Sequence, residues 1–369
     1  MATAVIDVLR RFLPSFLASA PALCPAQWRA VWAFTHCRTP VMGGHLYGCG
    51  KCGRREFAYH SCNHRSCPQC GRTATAEWVE RELGKRVGAP YFMVTFTLPA
   101  ELRCLFFGPG AKEAYDLLFA SSAGALREKL ADPRWLGATH SGFTGILHTW
   151  TQQLLFHPHI HYIVPGAGID AAGRVVTVKN ANFLIRVEVL AGAFRQHFRD
   201  LIASTGLRAD PAVWTKDWGV NIREFGSGSN AIKYLGAYVC RTAIGDSRIL
   251  SVRGEELTYQ WKDRANNNAI RTETIPGTEF LRRYLLHVLP RGMRSIRYFG
   301  FCHPAAKKKR EQVAFHTGRP LLVGPVDPSA FTKPRPARCC PRCDTPLRRL
   351  GTVSLEQPTT RGPPPFTLS

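Results

Sequence analysis

The sequence predicts an α+β fold, with a cysteine-rich N-terminal module followed by an antiparallel sheet and flanking helices. Three observations predict it: Cys-x-x-Cys pairs near the N-terminus, β-branched and aromatic runs such as residues 154–164, and an amphipathic segment at 187–204. We divide the chain into an N-terminal module (1–88), a sheet domain (89–304) and a basic, Pro-rich tail (305–369). The tail carries one more Cys-x-x-Cys and is expected to be largely disordered.

Charge and cysteine usage restrict the class of protein. Lysine and arginine number 49 against 26 acidic residues, a formal net charge of +23, which indicates a polyanionic partner, most simply nucleic acid. No apolar run approaches the length of a membrane span. The apolar N-terminus carries Asp7, Arg10 and Arg11, which favours an amphipathic helix over a signal peptide. Thirteen cysteines, several in Cys-x-x-Cys pairs, indicate metal ligation in a reducing compartment.

The N-terminal module contains two cysteine knuckles after a helix predicted at 25–36. Their spacing, with 14 residues between the pairs, predicts one closed structural zinc site. Its expected ligands are Cys49, Cys52, Cys67 and Cys70. The residues between the knuckles are candidates to replace a ligand or complete a partial second site: His60, Cys62 and His64. Cys24 and Cys37 are interpreted as small core residues.

The sheet domain is predicted to begin with a strand at 91–98, a helix at 112–130 and a strand at 142–151 that carries His148 and Trp150. The central strand follows at 154–164. Alternate residues of a strand face the same side, so His159 and His161 share a face, joined by His157 if Pro158 preserves the pleat. Two neutral imidazoles at this spacing can hold one divalent metal; the alternative is hydrogen-bonded core histidines.

The second half of the sheet domain is predicted to contain a helix at 187–204, a strand at 218–225 and a helix at 230–240. On that last helix Tyr234 and Tyr238 are four residues apart and share a face, with Gly236 between them allowing close approach of a strand or a DNA backbone. The alternative is a packed aromatic stripe. A hairpin at 249–261, a further strand at 269–274 and a helix at 279–288 complete the domain.

These residues carry a resemblance. His159-Ile-His161 resembles the histidine–hydrophobic–histidine signature of the HUH endonucleases, and Tyr234-Leu-Gly-Ala-Tyr238 resembles the paired tyrosines of their two-tyrosine branch. The cysteine-rich segment is similar to the zinc-binding domain of bacterial rolling-circle transposases of the insertion sequence 91 family. The resemblance extends over roughly residues 20 to 305.

The resemblance implies an HUH-nuclease fold and metal-dependent cleavage and rejoining of single-stranded DNA at transposon ends and a target site. It implies that His159 and His161 bind Mg²⁺ or Mn²⁺, with the third ligand open between Gln152 and His157. A tyrosine would attack to leave a 5′-phosphotyrosine and a free 3′-OH, with Lys233 assisting at the phosphate. The implied location is the bacterial cytoplasm, at the nucleoid. The order of attack and the oligomeric state stay open.

Towards the C-terminus, arginines interleave with Tyr284 and Tyr298, a pattern that suits backbone neutralisation and base stacking on single-stranded DNA. The arginines of this predicted DNA track are Arg282, Arg283, Arg291, Arg294 and Arg297. The alternative is a solvated basic face. Cys340-Pro-Arg-Cys343 is half a zinc knuckle, with Cys302 and His303 as candidate partners or with no metal at all.

Three other functions stay open at this point. A plasmid rolling-circle replication initiator or a relaxase would share the histidines and tyrosines, but the cysteine module placed first and the absence of a helicase motif favour a transposase. A non-enzymatic zinc-ribbon protein that binds nucleic acid leaves the histidine strand unexplained. A metal hydrolase would use the histidines without a covalent adduct.

Overall fold

The computed structural model describes residues 4–19, 21–239, 243–263, 266–318 and 338–353. The helices are α1 (Val5–Ala18), α2 (Pro25–His36), α3 (Gly71–Gly84), α4 (Ala111–Ala131), α5 (Val187–Ile202), α6 (Ser229–Val239), α7 (Gly277–Leu285) and α8 (Lys307–His316). The strands are β1 (Gly44–Gly48), β2 (Arg55–Tyr59), β3 (Tyr91–Thr97), β4 (His140–Trp150), β5 (Phe156–Pro165), β6 (Ala167–Ile169), β7 (Val175–Thr177), β8 (Gly219–Glu224), β9 (Ile249–Arg253), β10 (Glu256–Asp263), β11 (Ala269–Pro276), β12 (Ile296–Gly300) and β13 (Arg348–Val353). Within these described ranges, no helix is both long and apolar enough to cross a membrane.

A seven-stranded sheet forms the centre of the molecule. Its strand order is β7-β6-β4-β5-β3-β8, and β12 pairs with β4 beside β6. The pairs described in it are antiparallel, with Thr95 opposite His161 in β3–β5 and His148 opposite His159 in β4–β5. The α+β prediction with an antiparallel sheet is therefore confirmed, and the histidine strand β5 lies inside the sheet, between β3 and β4.

The two faces of this sheet pack against different helices. Ile160 and Tyr162 point into the largest core with residues of α4 and α5, and the Tyr162 hydroxyl lies 2.8 Å from Ser122 Oγ. On the opposite face, Ile163 of β5 shares a cluster with Trp78 of α3 and Ile232 of α6. Because side chains alternate along a strand, His159 and His161 lie on the same face as Ile163. The histidine face is thus the one that α3 and α6 cover.

A second core joins the N-terminal helices to the later part of the chain. Phe12 of α1 and Phe34 of α2 are buried with Phe280 and Tyr284 of α7, above the three-stranded sheet β11-β10-β9. A Cβ at Gly277 would lie 2.2 Å from the Phe12 ring, so glycine permits the close approach of α1 and α7. The N-terminal amphipathic helix predicted from the sequence is therefore a core element.

A third sheet has the order β13-β1-β2, with β13 and β2 antiparallel to β1. The expectation of a largely disordered C-terminal tail is wrong for two segments. Lys307–His316 forms α8, and Arg348–Val353 forms β13. The pairing of β13 with β1 brings a C-terminal strand onto the N-terminal module.

Candidate metal centre and tyrosine helix

Three imidazoles converge on the covered face of the central sheet. His159 and His161 lie two residues apart on β5, and His148 lies on the adjacent β4 directly opposite His159. Their candidate ligand nitrogens lie within 4.8 Å of one another. His148 and His161 are only 5% and 8% exposed. Three nitrogen ligands packed this closely are suited to a divalent transition-metal ion.

Neighbouring groups orient two of the rings. His159 Nδ1 lies 2.7 Å from the backbone carbonyl of His157. Because a carbonyl can only accept, this nitrogen donates, and Nε2 keeps its lone pair for a ligand bond. His161 Nδ1 lies 2.7 Å from the Thr95 hydroxyl on β3. Such outer contacts fix the tautomer and the angle of a metal-binding imidazole.

The third imidazole is His148, and neither third ligand proposed from the sequence takes that position. His157 Nδ1 instead accepts a hydrogen bond from the Arg103 guanidinium at 2.9 Å, and burial followed by Arg103 lowers the pKa of His157. Gln152 lies in the turn between β4 and β5, where its backbone carbonyl accepts from Arg248. From the sequence alone, His148 lies on a predicted strand and has no assigned role. A hairpin of β4 and β5 in the observed register pairs His148 with His159, and this pairing is the signal that identifies His148 as the third imidazole.

The tyrosine helix α6 packs on α3 and on strands β3 and β4 of the sheet. A Cβ at Gly236 would lie 2.1 Å from Val79 Cγ2, so this glycine allows two helices to approach, not the strand or DNA backbone expected from the sequence. Tyr234 is partly buried, with its ring centroid 6.4 Å from that of Phe225, and Lys233 is exposed. The side chain of Tyr238 and the whole of Cys240 lie outside the described part of the structure.

In the part of the chain that the structure describes, eight cysteines form two clusters instead of the single predicted site. One contains Cys37, Cys62, Cys67 and Cys70; the other contains Cys49, Cys52, Cys340 and Cys343. The prediction that the two N-terminal knuckles share one ion is therefore wrong. Cys37 is buried in the core, as interpreted from the sequence, and also belongs to the first cluster. Cys62 does belong to a cluster, whereas His60 packs on His45 with centroids 4.9 Å apart and His64 Nδ1 accepts from the Ser66 amide. In the second cluster the hydrogen bond with the Thr345 hydroxyl lowers the pKa of Cys49 to about 5, whereas hydrogen bonds with the neighbouring thiols raise the pKa of Cys343 to about 12.

Comparison with known proteins agrees with this organisation. Residues 8–98 match the family described as "Transposase zinc-binding domain", and residues 142–310 match the family described as "Putative transposase". Over 318 residues the chain is 36% identical to "Putative transposase y4qJ" of Sinorhizobium fredii, an alignment that covers 80% of this chain and 79% of that protein. The chain belongs to the insertion sequence 91 family of transposases.

A second relative of this transposase is described as the transposase of an insertion sequence element. It is the "Transposase for insertion sequence element IS801" of Pseudomonas savastanoi pv. phaseolicola, 29% identical over 334 residues, which cover 82% of this chain and 78% of that protein. No solved structure matches the chain. The histidine centre and α6 lie within the segment that matches the transposase family, and the first cysteine cluster lies within the zinc-binding domain.

Three of the five arginines predicted to form a DNA track in this transposase make ion pairs with acidic residues of the same chain, and the side chain of Arg282 is 54% exposed in its pair. Arg282 and Arg283 both bind Glu279, and Arg283 also lies 2.9 Å from Glu273. Arg297 binds Asp116 and lies 4.1 Å from the Phe119 ring. Arg291 and Arg294 are exposed.

The two tyrosines of the predicted track have structural partners too. The Tyr284 hydroxyl donates to the Ser66 carbonyl at 2.6 Å, and the Tyr298 hydroxyl accepts from Trp78 Nε1 at 2.9 Å. Tyr284 is 3% exposed, so its ring is not a platform for base stacking. Arg282, Arg291 and Arg294 are exposed, and for these three the DNA track stays a prediction.

Proposed function

We propose that this transposase cleaves and rejoins single-stranded DNA by tyrosine transesterification at the three-histidine centre. One observation carries the proposal: His148, His159 and His161 converge on the same face of the sheet that the tyrosine helix α6 covers. A metal-binding group and a phenol that can act as nucleophile are the two components that such a reaction needs.

The histidines supply the metal-binding part of the proposed site. His159 and His161 would hold the ion through Nε2, because their Nδ1 atoms are engaged by the His157 carbonyl and Thr95. A divalent ion held by these histidines would supply positive charge to polarise the scissile phosphate and to stabilise the charge that develops on its oxygens. Of the two expected ions, Mn²⁺ suits three nitrogen ligands better than Mg²⁺, which prefers oxygen.

The tyrosines supply the nucleophile. The phenol oxygen of Tyr234 or Tyr238 forms a new bond to phosphorus while the bond from phosphorus to the 3′ oxygen breaks. The phenol proton is lost, and the 3′ oxygen takes up a proton to leave as a 3′-OH. An unperturbed phenol has a pKa of about 10, so a nearby cation would help it to ionise. We assign that role, or neutralisation of the phosphate, to Lys233, whose side chain is exposed.

The product of this step is a 5′-phosphotyrosine. The covalent link conserves the energy of the phosphodiester, so rejoining to another 3′-OH needs no ATP. A second tyrosine one helical turn away allows one centre to hold two strand ends, which suits rolling-circle transposition.

The test uses one single-stranded oligonucleotide from an end of the element, labelled at either its 5′ or its 3′ terminus and incubated with the protein and Mn²⁺. The proposal predicts that the 3′ label joins the protein in an adduct stable to SDS, whereas the 5′ label appears on a free fragment that a polymerase extends. His159→Ala should abolish both products and retain DNA binding. Cleavage with neither label on protein would indicate a metal hydrolase instead.

A further inference from the structure

The second cysteine cluster joins residues from opposite ends of the chain. We propose that Cys49, Cys52, Cys340 and Cys343 bind a second zinc ion, which fixes the C-terminal segment 338–353 to the N-terminal module. Cys340 and Cys343 lie outside both segments that match known families, 8–98 and 142–310. Half of the site therefore lies outside the zinc-binding domain, whose matched segment contains Cys49 and Cys52.

The distances between sulfur atoms fit a tetrahedral four-thiolate site. Cys49 Sγ lies 3.5 Å from Cys343 Sγ, and Cys52 Sγ lies 3.6 Å from Cys340 Sγ. Four thiolates on a zinc ion, each with a Zn–S bond of about 2.3 Å, stand about 3.8 Å apart. A disulfide would instead require about 2.05 Å. Cys49 and Cys340 are 5% and 1% exposed, so the centre of the cluster is shielded from solvent.

The two halves of the site have matching backbones. The residue after each second cysteine has a positive φ, +68° at Gly53 and +50° at Asp344. Each donates its amide to the carbonyl of the first cysteine, at 3.0 Å for Gly53 to Cys49 and 2.8 Å for Asp344 to Cys340.

The amide of each first cysteine also donates to a carbonyl five residues on. The distances are 2.9 Å for Cys49 to Arg54 and 2.8 Å for Cys340 to Thr345. Two Cys-x-x-Cys loops with the same hydrogen bonds and a positive φ at the same position are a matched pair of knuckles, each of which presents two sulfurs. Cys302, the partner considered from the sequence, belongs to the cluster of Trp78 and Ile232 instead.

The strand pairing beside the site is too small to hold the C-terminal segment alone. β13 pairs with β1 from Gly44–Val353 to Gly48–Arg348, and Leu350 packs over Gly48. Yet Leu350 is 56% exposed and Phe57 on β2 is 53% exposed, so the sheet buries little apolar surface. The stability of such a small sheet depends on an additional cross-link, such as a bound metal ion. The four thiolates are placed to provide it.

Zinc content per chain, measured on the full-length protein by elemental analysis and native mass spectrometry, tests the proposal. Wild type should contain two zinc ions. Cys340→Ser with Cys343→Ser should contain one, and Cys302→Ser, which removes a thiol outside both clusters, should contain two. Wild type with a single zinc, or a double variant that still contains two, would overturn the proposal.

A second measurement leaves all the cysteines in place. A recognition sequence for a site-specific protease is inserted between residues 318 and 338, and the protein is cleaved there. The C-terminal fragment should co-elute with the rest of the protein while zinc is bound and separate after chelation. Separation with both ions still bound would show that no metal holds the segment.

Discussion

His148 and His159 face each other directly across the β4–β5 ladder, with ring centroids 5.4 Å apart. His161, two residues along β5, completes a triangle in which each ring centroid lies within 5.4 Å of the others. The third imidazole therefore comes from cross-strand pairing, not from a longer run of histidines on one strand. Its position leads to two tests of the metal centre.

We expect His148→Ala to weaken Mn²⁺ binding by at least about 100-fold, because changes in outer-shell partners alone cost about 10- to 100-fold. Gln152→Ala is the matched control and should bind Mn²⁺ like wild type. Calorimetric titration of each purified variant with MnCl₂ measures the affinity. A larger loss in Gln152→Ala than in His148→Ala would return the third-ligand role to Gln152.

The Thr95 hydroxyl orients His161 from the neighbouring strand, at 2.7 Å. We expect Thr95→Val, which keeps the shape but removes the hydroxyl, to weaken Mn²⁺ binding about tenfold. Thr95→Ser retains an oxygen and should stay close to wild type. The same titration measures both, and equal affinities for the two variants would contradict an orienting role.

The sequence predicted the elements of the site better than the contacts between them. Alternation along β5 gave the common face of His159 and His161, and the predicted tyrosine helix at 230–240 agrees with Ser229–Val239. His148 depends on the register between two strands, which turn geometry and packing determine. The prediction of which Cys-x-x-Cys pairs share a site was wrong for a similar reason. Cys49 and Cys52 are closer in sequence to Cys67 and Cys70, but β13 brings Cys340 and Cys343 to them from about 290 residues away.

Arginines illustrate a further limit of sequence patterns, since charge alone does not distinguish a DNA contact from an internal ion pair. We expect Arg291→Gln with Arg294→Gln to reduce the slope of log affinity for single-stranded DNA against log salt by about 1.4, which is the loss of two phosphate contacts on a single strand. Arg283→Gln should leave the slope unchanged and lower the stability by about 2 kcal/mol, because it leaves Glu273 and Glu279 without their partner. Fluorescence anisotropy across a salt series and denaturant unfolding measure the two effects. If Arg283→Gln reduced the salt slope and the Arg291→Gln, Arg294→Gln variant did not, the assignment of Arg283 to an ion pair and of Arg291 and Arg294 to DNA contacts would be wrong.

His287 makes the stability depend on pH. Its Nε2 donates to the Leu154 carbonyl at 3.0 Å, and burial lowers the pKa of His287 to about 4. An unfolded imidazole has a pKa of about 6.5, so the unfolded chain takes up the proton first as the pH falls. Stability from this residue is therefore present above pH about 6.5 and is lost progressively towards pH about 4.

Between about pH 7.5 and about pH 5 the loss should amount to about 2 kcal/mol. Denaturant unfolding of wild type and His287→Gln at both pH values measures it as a double difference. The variant should be less stable at the higher pH and should lose less stability at the lower one. The same loss in both proteins would show that other groups account for the pH dependence.

The covalent mechanism is tested most directly by the adduct assay on Tyr234→Phe with Tyr238→Phe. Phenylalanine has no oxygen to attack with, so the double variant should fold, bind single-stranded DNA and form no adduct stable to SDS. Tyr298→Phe is the matched control, because it removes a hydroxyl that contacts Trp78 and should lose only about 1 kcal/mol of stability. Its adduct yield should equal that of wild type. If the double variant still forms the adduct, neither Tyr234 nor Tyr238 is the nucleophile, and the proposed role of α6 is wrong.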